Sequence, residues 1–177
     1  MNPTTLIVGG CRSGKSRQAL ALGETYTGRR NLFVATCQPH DADMAARIAR
    51  HQKERGRHWE TVETPIAPDK AILDKGSGSD VLLIDCLTLW ISNLMMVHDR
   101  DEEILKAVER LHRAVAAPPC PIILVSNEVG TGIVPENPMA RRFRDLAGWC
   151  NQRMANACRN VIWMVAGIAV PIKNDTH

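Results

Sequence analysis

Five short runs of nearly unbroken apolar residues punctuate this chain: Thr5–Val8, Leu32–Thr36, Val81–Asp85, Ile122–Ser126 and Val161–Val165. Runs this short, without polar alternation, predict strands buried on both faces, as in a parallel sheet covered by helices. Trp59–Glu63 alternates more and predicts an edge strand. Between the runs, apolar residues return with helical spacing. Ser16–Thr25 is one such segment, and Asp43–Arg55 is another, with Met44 and Ile48 four apart and Asp41 or Asp43 as a cap. Asp101–Ala116 places Ile104, Val108, Leu111 and Val115 on one face and spaces Glu102 from Lys106 for an ion pair, until Pro118 and Pro119 stop it. Pro138–Cys158 carries a stripe of Met139, Phe143, Leu146, Cys150, Met154 and Ala157, expected to be core. The alternation predicts one doubly wound α/β domain spanning 1–177. Ligands in such folds meet the loops at the carboxyl ends of the strands.

Composition adds only bounds to this picture. The apolar fraction of 45% and the charged fraction of 23% are ordinary for a globular chain of 177 residues. A net charge of +3, spread along the sequence, gives no footprint for nucleic acid. No apolar run is long enough to span a membrane, and no signal-peptide pattern opens the chain. Six scattered cysteines without a C-x-x-C pair suit reduced thiols, so the expected compartment is the cytoplasm.

Chemistry enters at the end of the first strand. Gly9, Gly10, Cys11, Arg12, Ser13, Gly14, Lys15 and Ser16 fit G-x-x-x-x-G-K-S/T between a strand and a helix, the setting that a P-loop requires. Glycines let the backbone curl into a nest of N–H groups, and the helix dipole adds positive potential. Lys15 would reach the β- and γ-phosphates, while the Ser16 hydroxyl would hold Mg²⁺. Asp85 closes a hydrophobic strand, where a carboxylate either completes the Mg²⁺ site or caps the helix beginning at Cys86. Glu128, in Asn127-Glu128-Val129-Gly130-Thr131-Gly132, could bind substrate, act as a base or touch Mg²⁺. Asn127 and the two glycines could equally just form a turn. His51 shares a face with Met44 and Ile48 and has Arg47 and Lys53 nearby. That setting fits either a nucleophile toward phosphorus or a solvated surface residue.

Several blocks together resemble one family. They are Gly-Gly-Cys-Arg-Ser-Gly-Lys-Ser-Arg at 9–17, Val-Ala-Thr at 34–36, Asp-Met-Ala-Ala-Arg-Ile leading to His51, the stretch from Ser126 to Asn137, and the stretch from Ala140 to Arg153. In this order they resemble the bifunctional adenosylcobinamide kinase / adenosylcobinamide-phosphate guanylyltransferases of cobalamin synthesis. The resemblance implies a RecA-like P-loop NTPase fold, a mostly parallel sheet with helices on both faces. It implies two reactions: ATP or GTP phosphorylates adenosylcobinamide, and GTP then guanylylates a histidine that passes GMP to adenosylcobinamide phosphate. His51 matches that histidine. Guanine-side contacts are expected at Ala35, Thr36, Cys37, Gln52, Lys53, Glu54, Arg55, Glu63 and Asp85, with Mg²⁺ between Ser16 and Asp85. A homo-oligomer, commonly a trimer, is implied as well. Two other readings compete: a small-molecule kinase without a covalent intermediate, and a nucleotide switch. The missing N-K-x-D base-reading motif weakens the switch.

Overall fold

The computed structural model describes residues 2–26, 28, 30–37 and 59–175. Seven strands form a single sheet in the order β3-β2-β4-β5-β1-β6-β7. They are β1 (Thr4–Gly9), β2 (Asn31–Ala35), β3 (Trp59–Glu63), β4 (Val81–Asp85), β5 (Ile122–Asn127), β6 (Asn160–Val165) and β7 (Ile168–Asn174). All neighbours run parallel except β6 and β7. The described helices are α1 (Lys15–Gly23), α2 (Pro68–Lys75), α3 (Leu87–Val97), α4 (Asp101–Ala116) and α5 (Pro138–Ala157), with a 3₁₀ turn at Gly76–Gly78. The expected mostly parallel sheet with helices on both faces is therefore observed.

Handedness explains how the helices divide. From β1 the chain moves one way across the sheet to β2, carrying α1. The steps β3 to β4, β4 to β5 and β5 to β6 all move the other way, carrying α2, α3 with α4, and α5. Right-handed crossovers send helices of opposite travel to opposite faces. The core divides accordingly. Leu6, Leu82, Ile84 and Leu124 pack with Trp90, Ile104, Leu111 and Leu146 on the four-helix face. Ile7, Leu83, Ile123 and Val125 pack with Ala19 on the α1 face. Neighbours in one strand thus belong to different clusters, as the period of two demands, and both faces are covered. The helices that follow the neighbouring strands β1 and β5 pass to opposite faces, so the loop after β1 stands at the topological switch point.

Most predicted helices form close to their expected limits. The α5 start is fixed by Pro138 and by Asn137, whose side chain accepts from Met139 N (2.8 Å) and Ala140 N (3.2 Å). One part of its stripe needs correction: Met139 is 72% exposed, because the first turn of α5 overhangs the core that Leu146, Cys150 and Met154 enter. The expected Glu102–Lys106 pair is replaced by Lys106 with Glu103 (2.9 Å), while Arg100 engages both glutamates. The helix expected over Asp43–Arg55 lies outside the described residues. All six cysteines are free thiols. Among the described residues, no helix is long and apolar enough to cross a membrane.

Candidate active site

The segment after β1 forms a closed anion cradle. Arg12 (φ 55°) and Gly14 (φ 93°) both adopt left-handed backbone, and Ser13 N donates to Gly10 O (3.3 Å). This alternation turns successive N–H groups toward one concavity. Gly9 has no room for a side chain, because a Cβ there would lie 2.4 Å from Met164 O on β6. Helix α1 starts at Lys15, and its first turn carries no acid to oppose an anion. The Lys15 side chain folds back over the loop, where Nζ donates to Gly10 O (2.6 Å) and approaches Ser13 Oγ (3.5 Å). In this geometry Lys15 is only 7% exposed. In that position it adds to the anion potential of the loop.

A cavity of about 1050 Å³ opens beside this cradle on the α1 face of the sheet. Cys11 through Ser16 form one wall, and Leu20 and Glu24 of α1 form another. Phe33 and Ala35 of β2, Thr61 and Glu63 of β3, and Asp85 of β4 make the floor. These strand residues are two apart because alternate positions share a face. The far end is held by Trp59, whose Nε1 donates to Glu24 Oε1 (2.7 Å) and whose ring meets Phe33 edge-on at 6.4 Å. Asn127, Glu128 and Val129, leaving β5, close the opposite end. The N-cap position of α3 is Cys86 rather than Asp85.

Beneath the cavity a buried polar chain joins the carboxyl ends of three strands. Ser126 Oγ donates to Asn151 Oδ1 (2.6 Å), and Asn151 Nδ2 donates to Asn127 O (3.1 Å). Asn127 Nδ2 donates to Thr88 Oγ1 (2.9 Å), which lies 3.2 Å from Cys86 Sγ. Thr36 Oγ1 then accepts from Cys86 N (2.8 Å) and donates to Cys86 O (2.8 Å). Asn93 Nδ2 completes the chain at Thr36 O (2.7 Å) and Pro65 O (3.0 Å). Burial, and next the charge of Asp85, pushes the Cys86 thiol up to about 11, so it stays neutral at physiological pH. Thr36→Val should cost about 2 kcal/mol, because it strands the buried Cys86 N just beyond β4, while Cys86 O keeps the bond from Trp90 N (3.1 Å). Urea unfolding of the variant measures this, and a loss below about 1 kcal/mol would contradict the assigned bonds.

The structure brings most of the expected site residues together. Cys11, Arg12, Ser13, Gly14, Lys15, Ser16, Ala35, Cys37, Glu63 and Asp85 all line the one cavity. Gly9 and Gly10 shape the cradle from behind. Thr36 is fully buried and its hydroxyl is committed to Cys86, so it positions the site's floor. His51 and the stretch Gln52, Lys53, Glu54 and Arg55 lie outside the described residues. Sequence reasoning missed Leu20, Glu24, Phe33 and Thr61. Strand parity offered a signal for two of them, since Phe33 shares a face with Ala35 and Thr61 with Glu63. Ser16 and Asp85 supply hard oxygen donors on one cavity, as a Mg²⁺ ion completed by phosphates and water requires. Of these two oxygens, only that of Asp85 carries charge.

Comparison with known proteins gives this geometry its relatives. A KaiC-like protein from Pyrococcus horikoshii OT3 superposes with a TM-score of 0.52 and 18% identity, covering 91% of this chain and 70% of that one. The RadB recombinase superposes with a TM-score of 0.51 and 14% identity, over 91% and 73%. At these identities they establish the fold alone. The bifunctional adenosylcobalamin biosynthesis protein CobP of Pseudomonas aeruginosa is 41% identical over 96% of this chain and 97% of its own length. CobU of Escherichia coli K12, described by the same function, is 42% identical over 95% and 98%. CobU of Salmonella typhimurium LT2 is 41% identical over 95% and 98%. The family model described as cobinamide kinase / cobinamide phosphate guanyltransferase matches residues 5–172. With the cradle, the strand-end carboxylate and nearly the whole chain in agreement, this protein belongs to the cobinamide kinase / cobinamide phosphate guanyltransferase family.

Proposed function

We infer that residues 9–16 hold the nucleoside triphosphate for both reactions of the family, and that His51 is the residue guanylylated in the second. The observation that carries this reading is the gathering of Cys11–Ser16, Ala35, Cys37, Glu63 and Asp85 around one cavity. The chain is a transferase of two activities, kinase and guanylyltransferase. In the kinase reaction the γ-phosphoryl group of ATP or GTP passes to the aminopropanol hydroxyl of adenosylcobinamide. In the guanylyltransferase reaction the imidazole of His51 attacks the α-phosphorus of GTP, and pyrophosphate leaves with the electron pair of the broken P–O bond. The phosphate of adenosylcobinamide phosphate then attacks the phosphoramidate, which frees His51 and gives adenosylcobinamide-GDP. Dividing the transfer in this way replaces one hard displacement by two easier ones.

The side chains have separable tasks. Backbone N–H groups of the cradle and Lys15 offset the charge of the phosphates, which matters most where water is excluded. Ser16 and Asp85 would hold Mg²⁺, which when bound neutralises phosphate charge. Glu63, Ala35 and Cys37, which line the cavity, are assigned to the guanine side, and Gln52, Lys53, Glu54 and Arg55, assigned to it by the family resemblance, lie outside the described residues. A homo-oligomer of a single cytoplasmic domain, 1–177, is part of the same reading. A kinase without a covalent intermediate accounts for the cradle but leaves the guanyltransferase half of the family description without a residue.

Isotope position tests the proposal directly. GTP carrying ³²P at the α-phosphorus should leave an acid-labile, alkali-stable label on the folded protein with Mg²⁺. GTP carrying it at the γ-phosphorus should leave none. Absence of the α-label would sink the guanylyltransferase assignment.

A further inference from the structure

We propose that Glu128 is the catalytic residue that orients the substrate hydroxyl and takes its proton in the kinase reaction. The inference rests on the cradle at 9–16 being the working triphosphate site. Position is the first argument. Strand β5 lies between β1, which leads into the cradle, and β4, which ends at Asp85. Gly9 pairs with Asn127, and Asp85 pairs with Val125. Glu128 N then extends the ladder by donating to Gly9 O at 2.9 Å. Its backbone is therefore tied to the first residue of the cradle and stands beyond the level of Asp85. The two carboxylates enter the same cavity at different heights. That separation fits a division of labour, with Asp85 deep at the metal and Glu128 where an acceptor would approach the γ-phosphoryl group.

Side-chain geometry is the second argument. Gly130 N donates to Glu128 Oε1 at 2.6 Å, which fixes the carboxylate of this cavity-lining residue. Arg144 Nη2 donates to Gly130 O (3.0 Å). Both polar groups of Gly130 are thereby held, and the loop is braced. None of the ion pairs among the described residues includes Glu128. Fixed by one neutral donor, the carboxylate is placed to receive a proton from a hydroxyl that reaches it. Gly130 contributes by what it lacks, since a Cβ there would lie 2.9 Å from Oε1 and push the carboxylate aside.

The step balances without a further reactant. As the hydroxyl oxygen bonds to the γ-phosphorus, its proton passes to Glu128. The bond from the γ-phosphorus to the β-bridging oxygen breaks, and the nucleoside diphosphate leaves with that electron pair. Glu128 then returns the proton to solvent. Guanylylation of His51 uses no alcohol and needs no such base, so the two reactions should respond differently to change at this position.

The experiment compares wild type, Glu128→Gln, Gly130→Ala and Lys15→Ala as full-length folded proteins. Phosphorylation of adenosylcobinamide is measured alongside covalent labelling from α-labelled GTP, with thermal melting to verify folding. Glutamine keeps the acceptor for Gly130 N but cannot take a proton. Glu128→Gln should lower kcat for the kinase about 10²–10³-fold, with the nucleotide KM and the covalent label little changed. Gly130→Ala keeps the charge but displaces it, and a smaller, kinase-selective loss of about tenfold is expected. Kinase rates at the wild-type level in both variants would overturn the assignment. Equal loss of kinase and label in folded Glu128→Gln would also overturn it, in favour of a shared metal or phosphate role. Lys15→Ala separates the underlying reading, because a fully active Lys15→Ala kinase would refute the cradle itself rather than Glu128.

Discussion

Replacing His51 by alanine should abolish the covalent label from α-labelled GTP while phosphorylation of adenosylcobinamide continues. The two reactions ask for different nucleophiles. In the kinase reaction the alcohol attacks phosphorus, and an imidazole contributes nothing that the cradle does not already supply. In the proposed guanylylation the imidazole nitrogen of His51 is itself the atom that forms the new bond. Arg47 and Lys53, close in sequence to His51, offer cations to offset the charge on the phosphorus under attack. Removing the attacking atom cannot be compensated by its surroundings, so GMP transfer should fall at least about 10⁴-fold. Kinase turnover should stay within about threefold of wild type. A label of normal intensity on His51→Ala would place the intermediate on another residue. Loss of both activities in a folded variant would show that this histidine serves the common nucleotide site.

The second large effect is expected at Lys15, and it should strike both activities together. Its ammonium sits 2.6 Å from Gly10 O, at the mouth of the cradle. Lys15 is 7% exposed, so a charge placed there acts through little intervening water. In Lys15→Ala the negative charge developing on the transferred group or on pyrophosphate loses its nearest cation. Loss of one such contact costs about 10²–10³-fold in kcat. Steady-state kinase assays and the rate of label formation give two independent readings of that loss. Alanine also releases Gly10 O and Ser13 Oγ from their partner, so a melting curve should accompany each assay. Unchanged turnover in both would remove the cradle from the mechanism.

Legibility in the sequence followed physical contrast. β1, β2, β4, β5 and β6 were readable because burial on both faces leaves short, uniformly apolar runs. α4 was readable because its acids at 101–103, its apolar stripe and the following prolines all agree. α3 was not delimited, because Leu87–Val97 is mostly apolar, carries no charge and shows little periodic contrast. Its Trp90 is fully buried, with Nε1 donating to Ile66 O at 2.9 Å. α2 is too short, at eight residues, to display a period. β7 hid for two reasons. Pro171 within it argues against a strand, and its hairpin turn uses Ala166 (φ 50°) with Gly167 (φ 83°) rather than an Asn-Gly pair.

The site divided along a similar line. The cradle is local, eight consecutive residues with fixed spacing, and could be found without knowing the fold. Asp85 was findable because a carboxylate ending an apolar strand is itself a contrast. The floor is different in kind. Phe33, Thr61 and Glu63 meet only because β2 and β3 pair in a particular register, with Ala35 opposite Glu63. No sequence interval encodes that meeting. Glu128 had three open roles in the sequence, and its tie to Gly9 O and to Gly130 N separates it from the metal-level carboxylate of Asp85.

The polar chain under the floor has a consequence for how this sequence can drift. Ser126 Oγ donates to Asn151 Oδ1, while Thr36 Oγ1 both accepts from and donates to the Cys86 backbone. A change at one buried member leaves its neighbour unsatisfied, whereas a matched change at both need not. Ser126 and Asn151 lie on different elements, β5 and α5, yet a change at Ser126 should be tolerated best with a compensating change at Asn151. The positions free to vary one at a time are the apolar ones, where volume can be made up by several neighbours. Ancestry should therefore be written most durably in residues that never meet the substrate.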